Sequence, residues 1–553
     1  MEDRKNLVIA LILSVIIITS WNLFVEKPKY DEYLQQKAIY EAQNPTKIIT
    51  NGAEETIIRA PKAIVKNSPR INFETPEIMG SINQDTGYFD ELILKKYKVS
   101  KDSHEDIQLL NKKLEPDSYF VDFSYITKSN QNLNNAATWQ TNDTSFASGS
   151  ITLTKATKQF SFKRVITLEG KYLFKITDII TNISEQIQEV KHYGLINRGF
   201  SFDTQSFLIL HEGPLAVIDG KLEEVTFKNL TKDKYDYKSV DGWTGFSDKY
   251  WLTAIVPSKA KSYNYHMYHY LKNDTDNRFQ TELSSNWYEV NQNQTTEFEY
   301  LLFAGPKELS LLDKYSEKYQ IPLFDRALDF GVLYFMTKPI SQALHFINQF
   351  VHNFGVTIII FTIFLRLLLF PLAAKSFREI YKMKQLQPQI KELKEKNKDN
   401  KMALNKDVMA LYKRNSVKPM AGCVPLFIQI PIFFALYKVL FVTIEMRQAD
   451  FFLWIHDLSV PDPTSIFNLF GLLPFEPIFT IGIWPCLMGL TMVLQQKFNP
   501  TPQDPMQETM MKILPYIFTF IFATFPAGLV VYWTFNNALS ILQQYFINKR
   551  HGQ

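Results

Sequence analysis

Apolar and polar positions follow three rhythms along the chain. Unbroken apolar runs open it and dominate its last part, a two-residue alternation fills the middle, and steps of three and four mark shorter stretches between them. The first run, Leu7 to Val25, outlasts a signal-peptide core of about 7–15 residues, and no small-x-small cleavage site follows it. Residues 1–25 therefore read as an uncleaved transmembrane anchor. A polar linker, Tyr30 to Arg70, shows little periodicity. Alternation is clear at Phe160, Phe162, Ile166 and Leu168, with Arg164 out of pattern. It resumes after Glu169-Gly170 at Tyr172, Phe174 and Ile176, a hairpin signature. Similar runs recur up to Phe303, so residues 26–325 predict a linker followed by a large antiparallel sandwich.

Val332, Met336, Ile340, Leu344, Ile347 and Val351 then fall on one helical face. Residues 326–353 predict an amphipathic helix lying in the membrane interface, with Pro339 kinking it or starting a new one. Four apolar stretches follow. Residues 354–372, 420–442 and 478–494 each suit one span, and the uncharged stretch 513–548 is divided into two by Pro526-Ala527-Gly528. The fold class is thus a polytopic α-helical membrane bundle plus a large all-β domain. It has six transmembrane helices, five of them in the C-terminal core.

Mean hydropathy is only -0.14 and net charge only +4, averages that hide this division. Local charge is more telling. The segment 373–419 holds thirteen Lys/Arg against five Asp/Glu, whereas the loop 443–477 holds one Arg against five acidic residues. Positive loops stay in the cytoplasm. The first is therefore read as a cytoplasmic helical hairpin, with Met383, Leu386, Ile390 and Leu393 on one arm and Leu404, Val408 and Leu411 on the other. The second is read as a periplasmic loop and 495–512 as a cytoplasmic one. Both termini then fall in the cytoplasm and the β domain in the periplasm of a bacterial inner membrane. The basic hairpin either serves topology alone or docks on acidic partners such as ribosomal RNA or anionic lipid. Cys423 and Cys486 sit in apolar segments and make neither a disulfide framework nor a metal site. His104, His192, His211, His266 and His269 have no metal-ligand spacing, and GxSxG and P-loop patterns are absent. No enzyme, cofactor or metal is expected.

One charge interrupts the second span. Arg366 lies in GVTIIIFTIFLRLLLFP, and an Arg at the bilayer centre costs about 2.5–3.5 kcal/mol on insertion scales. Either its stem snorkels to the near interface, or it faces a wet cavity and binds something. Thr362 lies one turn earlier on the same face. Gln429 is a polar group inside the next span.

The surroundings of Arg366, GCVPLFIQIPIFFALY (422–437), RQADFFLWIHDLS (447–459), DPMQ (504–507) and FPAGLVVYW (525–533) resemble the YidC/Oxa/Alb family of membrane protein insertases. The anchor and large periplasmic domain resemble its Gram-negative form, whose domain is a β-supersandwich. The resemblance implies an insertase and chaperone that inserts, folds and assembles membrane proteins, alone or with the Sec translocon. It implies a hydrophilic groove open to cytoplasm and lipid, with Arg366 attracting acidic residues of a nascent chain. It also implies that Tyr532 and Trp533 lie near the substrate path, together with Thr362 and Gln429. The implied partners are nascent membrane proteins, the ribosome, the Sec translocon with its accessory subunits, and membrane lipids, with no small-molecule substrate. A long basic tail carried by some relatives does not follow His551-Gly552-Gln553, so ribosome contact is expected at the hairpin and the 495–512 loop. The competing readings are an anion transporter using Arg366, and a membrane-anchored periplasmic sugar-binding protein.

Overall fold

Arg164, the residue that interrupts the alternation, is the one that ties the β domain together. The computed structural model describes residues 68–551 except 102, 113–117, 129–132, 134–136, 142–148, 200–209, 259–260, 273–275, 398–399, 418–423, 472, 474–479 and 499–504. The predicted anchor Leu7–Val25, nearly all of the linker and Cys423 lie outside the described residues. The β domain is two antiparallel sheets, one of ten strands and one of eight. The predicted hairpin pairs Phe160–Leu168 with Leu173–Asn182 in the second sheet. Tyr119–Thr127 and Gln188–Gly199 pair in the first. Aromatic rings join the two inner faces: Phe123 meets Tyr300 and Tyr125 meets Phe162, each at 5.4 Å between centroids.

Arg164 has the same parity as Phe162 and Ile166, so it points into this core and is fully buried. Its Nε donates to Asp178 Oδ1 at 2.6 Å and its Nη2 to Asp178 Oδ2 at 2.7 Å. The same Nη2 reaches the Phe123 carbonyl of the opposite sheet at 2.6 Å. His192 Nε2 stands 2.9 Å from Asp178 Oδ2, and its Nδ1 is 2.7 Å from the Tyr300 hydroxyl. A charge is tolerated here because its fork is matched by a bidentate carboxylate and a carbonyl.

The helices that follow are α1 (Leu309–Tyr319), α2 (Tyr334–Val351), α3 (Phe354–Leu368), α4 (Phe370–Gln385) and α5 (Gln387–Lys396). Then come α6 (Lys401–Arg414), α7 (Val424–Val442), α8 (Ile483–Gln496), α9 (Pro505–Phe522) and α10 (Ala527–His551). Helix α2 runs through Pro339 rather than starting at it. Its buried line is Thr337, Ser341 and Leu344, while Val332 at the head of the expected stripe is almost fully exposed. Small side chains on that line let α2 sit close to its neighbours. Helices α5 and α6 form a hairpin around Leu386, Ile390, Val408, Tyr412 and Val417.

The expected span 354–372 is not one straight helix. The chain bends by 68° between α3 and α4. Pro371 in the first turn of α4 lacks the N–H that would continue the α3 ladder. Among the described residues no single helix is long and apolar enough to cross a membrane, and only the bent α3–α4 pair passes together. The six-helix count is therefore not carried by the helices one by one. Fifteen residues of α3 reach only about 22 Å, short of a hydrocarbon core of about 30 Å. Helix α9 begins at Pro505, inside the stretch expected to be loop, and Glu508 pairs with Lys512 one turn later at 2.7 Å.

Exposed large apolar side chains divide the molecule in two. In the sandwich they are isolated, as at Met79, Ile187 and Trp287. In the helices they form rows: Ile360, Ile363, Phe364, Leu367 and Leu368 on α3, and Ile513, Ile517, Phe520 and Ile521 on α9. Rows of this kind mark contact with lipid or another apolar surface.

Candidate functional site

Helix α10 organises the site. Its sequence places Tyr532, Asn536, Ser540 and Gln544 at steps of four, and all four are buried. An apolar exterior enclosing amides is the reverse of a soluble helix bundle. The polar line meets α3 at Arg366, which lies in the last turn of that helix, where the dipole favours a cation. Arg366 Nε donates to Asn536 Oδ1 at 2.9 Å, and Gln543 Nε2 donates to the Arg366 carbonyl at 3.2 Å. No carboxylate among the described residues lies within ion-pair distance of Arg366, although its side chain is only partly exposed.

The other candidates group differently. Gln429 Nε2 donates to the Tyr532 hydroxyl at 2.8 Å, joining α7 to α10 one turn from Asn536. Thr362 is fully buried, and its hydroxyl donates to the Ile358 carbonyl of its own helix at 2.6 Å. It shares a helical face with Arg366 but offers no free donor. Trp533 stands on an aromatic cluster, with Phe433 at 4.8 Å and Phe522 at 5.6 Å between ring centroids. Arg366, Gln429 and Tyr532 thus converge through α10, Thr362 supports α3, and Trp533 faces the aromatic side.

Sequence reasoning missed Asn536, Asn537, Ser540, Gln543 and Gln544. Asn537 Nδ2 donates to Thr491 Oγ1 of α8 at 3.2 Å, and the side-chain amide of Gln544 has no partner on either terminal atom. The signal was present as four-residue polar spacing inside an otherwise apolar run.

One end of this arrangement is closed. The segment after α7 buries Ile444, Met446, Ile455 and Leu458 against the helix ends. Its Val460 and Leu458 carbonyls accept from Ala527 N at 2.8 Å and Gly528 N at 3.0 Å, capping the start of α10. Asp462 accepts from Trp484 N at 2.9 Å and from Trp454 Nε1 at 3.1 Å. Phe451 packs against Gly355, where a Cβ would stand 2.0 Å from its ring. The β domain and the segment leading into α2 grip the same end. Lys438 Nζ meets Asp329 at 2.8 Å, Arg447 Nη2 donates to the Val99 carbonyl at 2.9 Å, and Gln448 Nε2 donates to the Lys98 carbonyl at 3.0 Å. Among the described residues no group of His, Cys, Asp or Glu is placed to hold a metal ion.

Known proteins match both halves. The family model described as the YidC periplasmic domain matches residues 70–343, and the one described as the 60Kd inner membrane protein matches residues 346–553. The membrane protein insertase YidC of Rickettsia massiliae is 43% identical, over 98% of this chain and 99% of that one. That of Rickettsia felis is 42% identical with the same coverage. Among solved structures, an active YidC insertase with its first transmembrane domain resolved shares 16% identity and a TM-score of 0.37, covering 87% of this chain and 93% of that one. The assignment rests on the sequence matches, which run through both the sandwich and the helices: the chain belongs to the YidC family of inner-membrane protein insertases, which carry a periplasmic domain.

Proposed function

We propose that this insertase works through Arg366, which offers its guanidinium to an acidic residue in the translocated part of a nascent membrane protein. The observation that carries the reading is the choice of partner: a neutral amide, Asn536, holds Arg366 in place and leaves its charge unneutralised. A carboxylate entering a site of low dielectric meets a charge-assisted contact there. The buried amides of α10 supply further polar contacts along the way. The client's apolar segment then leaves along the exposed faces of α3 and α9. No bond is made or broken.

In this reading Leu7–Val25, α3, α7, α8, α9 and α10 cross the inner membrane, with both termini in the cytoplasm. The groove opens to cytoplasm and lipid, and the capped end faces the periplasm. Short helices such as α3 are accommodated by local thinning of the bilayer, which also shortens the client's path. The amphipathic α2 lies at the periplasmic interface. The basic α5–α6 hairpin docks the ribosome, and the Sec translocon shares clients with this chain. Photo-crosslinking from positions 429 and 533 to a stalled nascent chain tests the groove. Adducts from both are expected, and the absence of adducts from both would remove the assignment.

A further inference from the structure

A cavity opens between the last helix of the sandwich, the interfacial helix and the segment after α7. Its polar lining includes Ser310 and Asp313 of α1, Gln342 and His345 of α2, and Glu445, with Phe346 at its edge. The acidic groups differ in how they are satisfied. Asp313 is held by Lys338 Nζ at 2.8 Å, and the same ammonium meets Asp325 at 2.7 Å. Among the described residues Glu445 meets only His345, in an ion pair whose Nδ1–Oε1 distance of 3.7 Å is beyond hydrogen-bond reach. No Lys or Arg among the described residues pairs with Glu445. Its carboxylate is partly exposed in the cavity lining, so it suits a cation that carries N–H donors.

The surroundings define what else that molecule must carry. Phe346 and Phe350 are 61% and 70% exposed and pack edge to face at 5.2 Å. Helix α3 begins directly beyond them at Phe354, and its exposed Ile360, Ile363 and Phe364 continue the apolar exterior. The cavity thus lies where a polar rim passes into an apolar surface. The amide of Gln342, the hydroxyl of Ser310 and the imidazole of His345 are donors suited to phosphate oxygens.

We propose that this cavity binds the headgroup of a phosphatidylethanolamine-class lipid, its ammonium on Glu445, its phosphate toward Gln342 and His345, and its acyl chains along Phe346 and Phe350. The bound lipid bridges α2 to the segment that closes the groove. The proposal rests on α2 lying at the membrane interface, as set out above.

The test uses the full chain reconstituted in nanodiscs containing phosphatidylethanolamine, phosphatidylcholine and phosphatidylglycerol in equal amounts. The protein is released into mild detergent, and its retained lipids are counted by native mass spectrometry. In parallel, photoreactive versions of the three lipids are mapped for adducts around Phe346. Phosphatidylethanolamine is expected to exceed phosphatidylcholine by about tenfold, because the trimethylated ammonium has no hydrogen to donate to Glu445. Glu445→Gln should abolish this preference and Glu445→Lys should turn it toward phosphatidylglycerol. Glu289→Gln on the sandwich surface should change neither, with thermal unfolding confirming that all variants fold. A preference that survives Glu445→Gln overturns the proposal. Adducts near Phe346 without headgroup preference overturn it while leaving the interfacial placement of α2 intact. No lipid adduct near Phe346 overturns both.

Discussion

Two arginines, one in each half of the molecule, show how differently the halves treat a charge. Arg164 in the sandwich is sealed from water and matched on every side: a bidentate Asp178, a backbone carbonyl from the facing sheet, and His192 bracing the carboxylate. Arg366 in the helical half is held by one amide and keeps its charge. The sandwich hides apolar groups and matches its buried arginine in full. The helices display apolar groups and leave their polar interior incomplete. The first arrangement fixes a shape, and the second leaves a place for something that comes and goes.

Breaking the match to Arg164 has the largest expected effect. Asp178→Ala leaves Arg164 buried without its partner, and such losses cost about 3–5 kcal/mol. Chemical denaturation of the full chain, followed by proteolysis of the sandwich, measures it. Arg366→Ala should destabilise by about 1 kcal/mol or less, since one hydrogen bond to Asn536 is removed. Its effect belongs on function, where insertion of a client with an acidic translocated tail should fall by about tenfold. A large stability loss from Arg366→Ala would place the two arginines in one class.

Acid sharpens the same contrast. Burial alone raises the Asp178 carboxyl, but the Arg164 charge and the hydrogen bonds from Arg164 and His192 outweigh it and hold it well below the usual carboxylate range. Burial also lowers the His192 imidazole, against the pull of Asp178. Both groups take up protons more readily when unfolded, so both contribute stability that is lost on acidification. The His192 contribution fades as the pH falls below about 6.5 and the Asp178 contribution below about 4. His192→Phe should remove the first limb of a denaturation-midpoint profile against pH and shrink the second without abolishing it, since Arg164 still holds Asp178. A smaller effect is expected at the α7–α10 contact, where Gln429→Leu removes the bond to Tyr532. Hydrogen bonds between membrane helices average about 0.6 kcal/mol, so a modest shift in detergent unfolding is the measurement.

Much of this was legible in the chain, for reasons that differ by region. The sandwich announces itself because a half-buried strand must alternate, and the hairpin around Glu169-Gly170 has its expected pairing. Arg164 looked like a break in that pattern because alternation records polarity and not direction: its parity was inward all along. The bend after α3 has its sign in Pro371, but an apolar run reports length and not straightness, so a single span was expected there. The start of α9 was hidden because Pro505 and the Glu508–Lys512 pair, which favour a helix start, also look like loop composition. At the site, Arg366 stood out as a lone charge among apolar residues. The amides of α10 did not, since uncharged polar residues barely lower the hydropathy of a span. Thr362 shares the face of Arg366, but a hydroxyl on a helix readily bonds the carbonyl four residues back, and this one does.

The central claim is that the charge of Arg366 is available to a client. The most direct measurement compares insertion of one client in two forms, with an aspartate or an asparagine in its translocated tail, by this chain and by its Arg366→Ala and Arg366→Lys variants. The aspartate form should insert faster than the asparagine form with Arg or Lys at position 366, and at the same rate with Ala. An aspartate advantage that persists in Arg366→Ala would contradict the account.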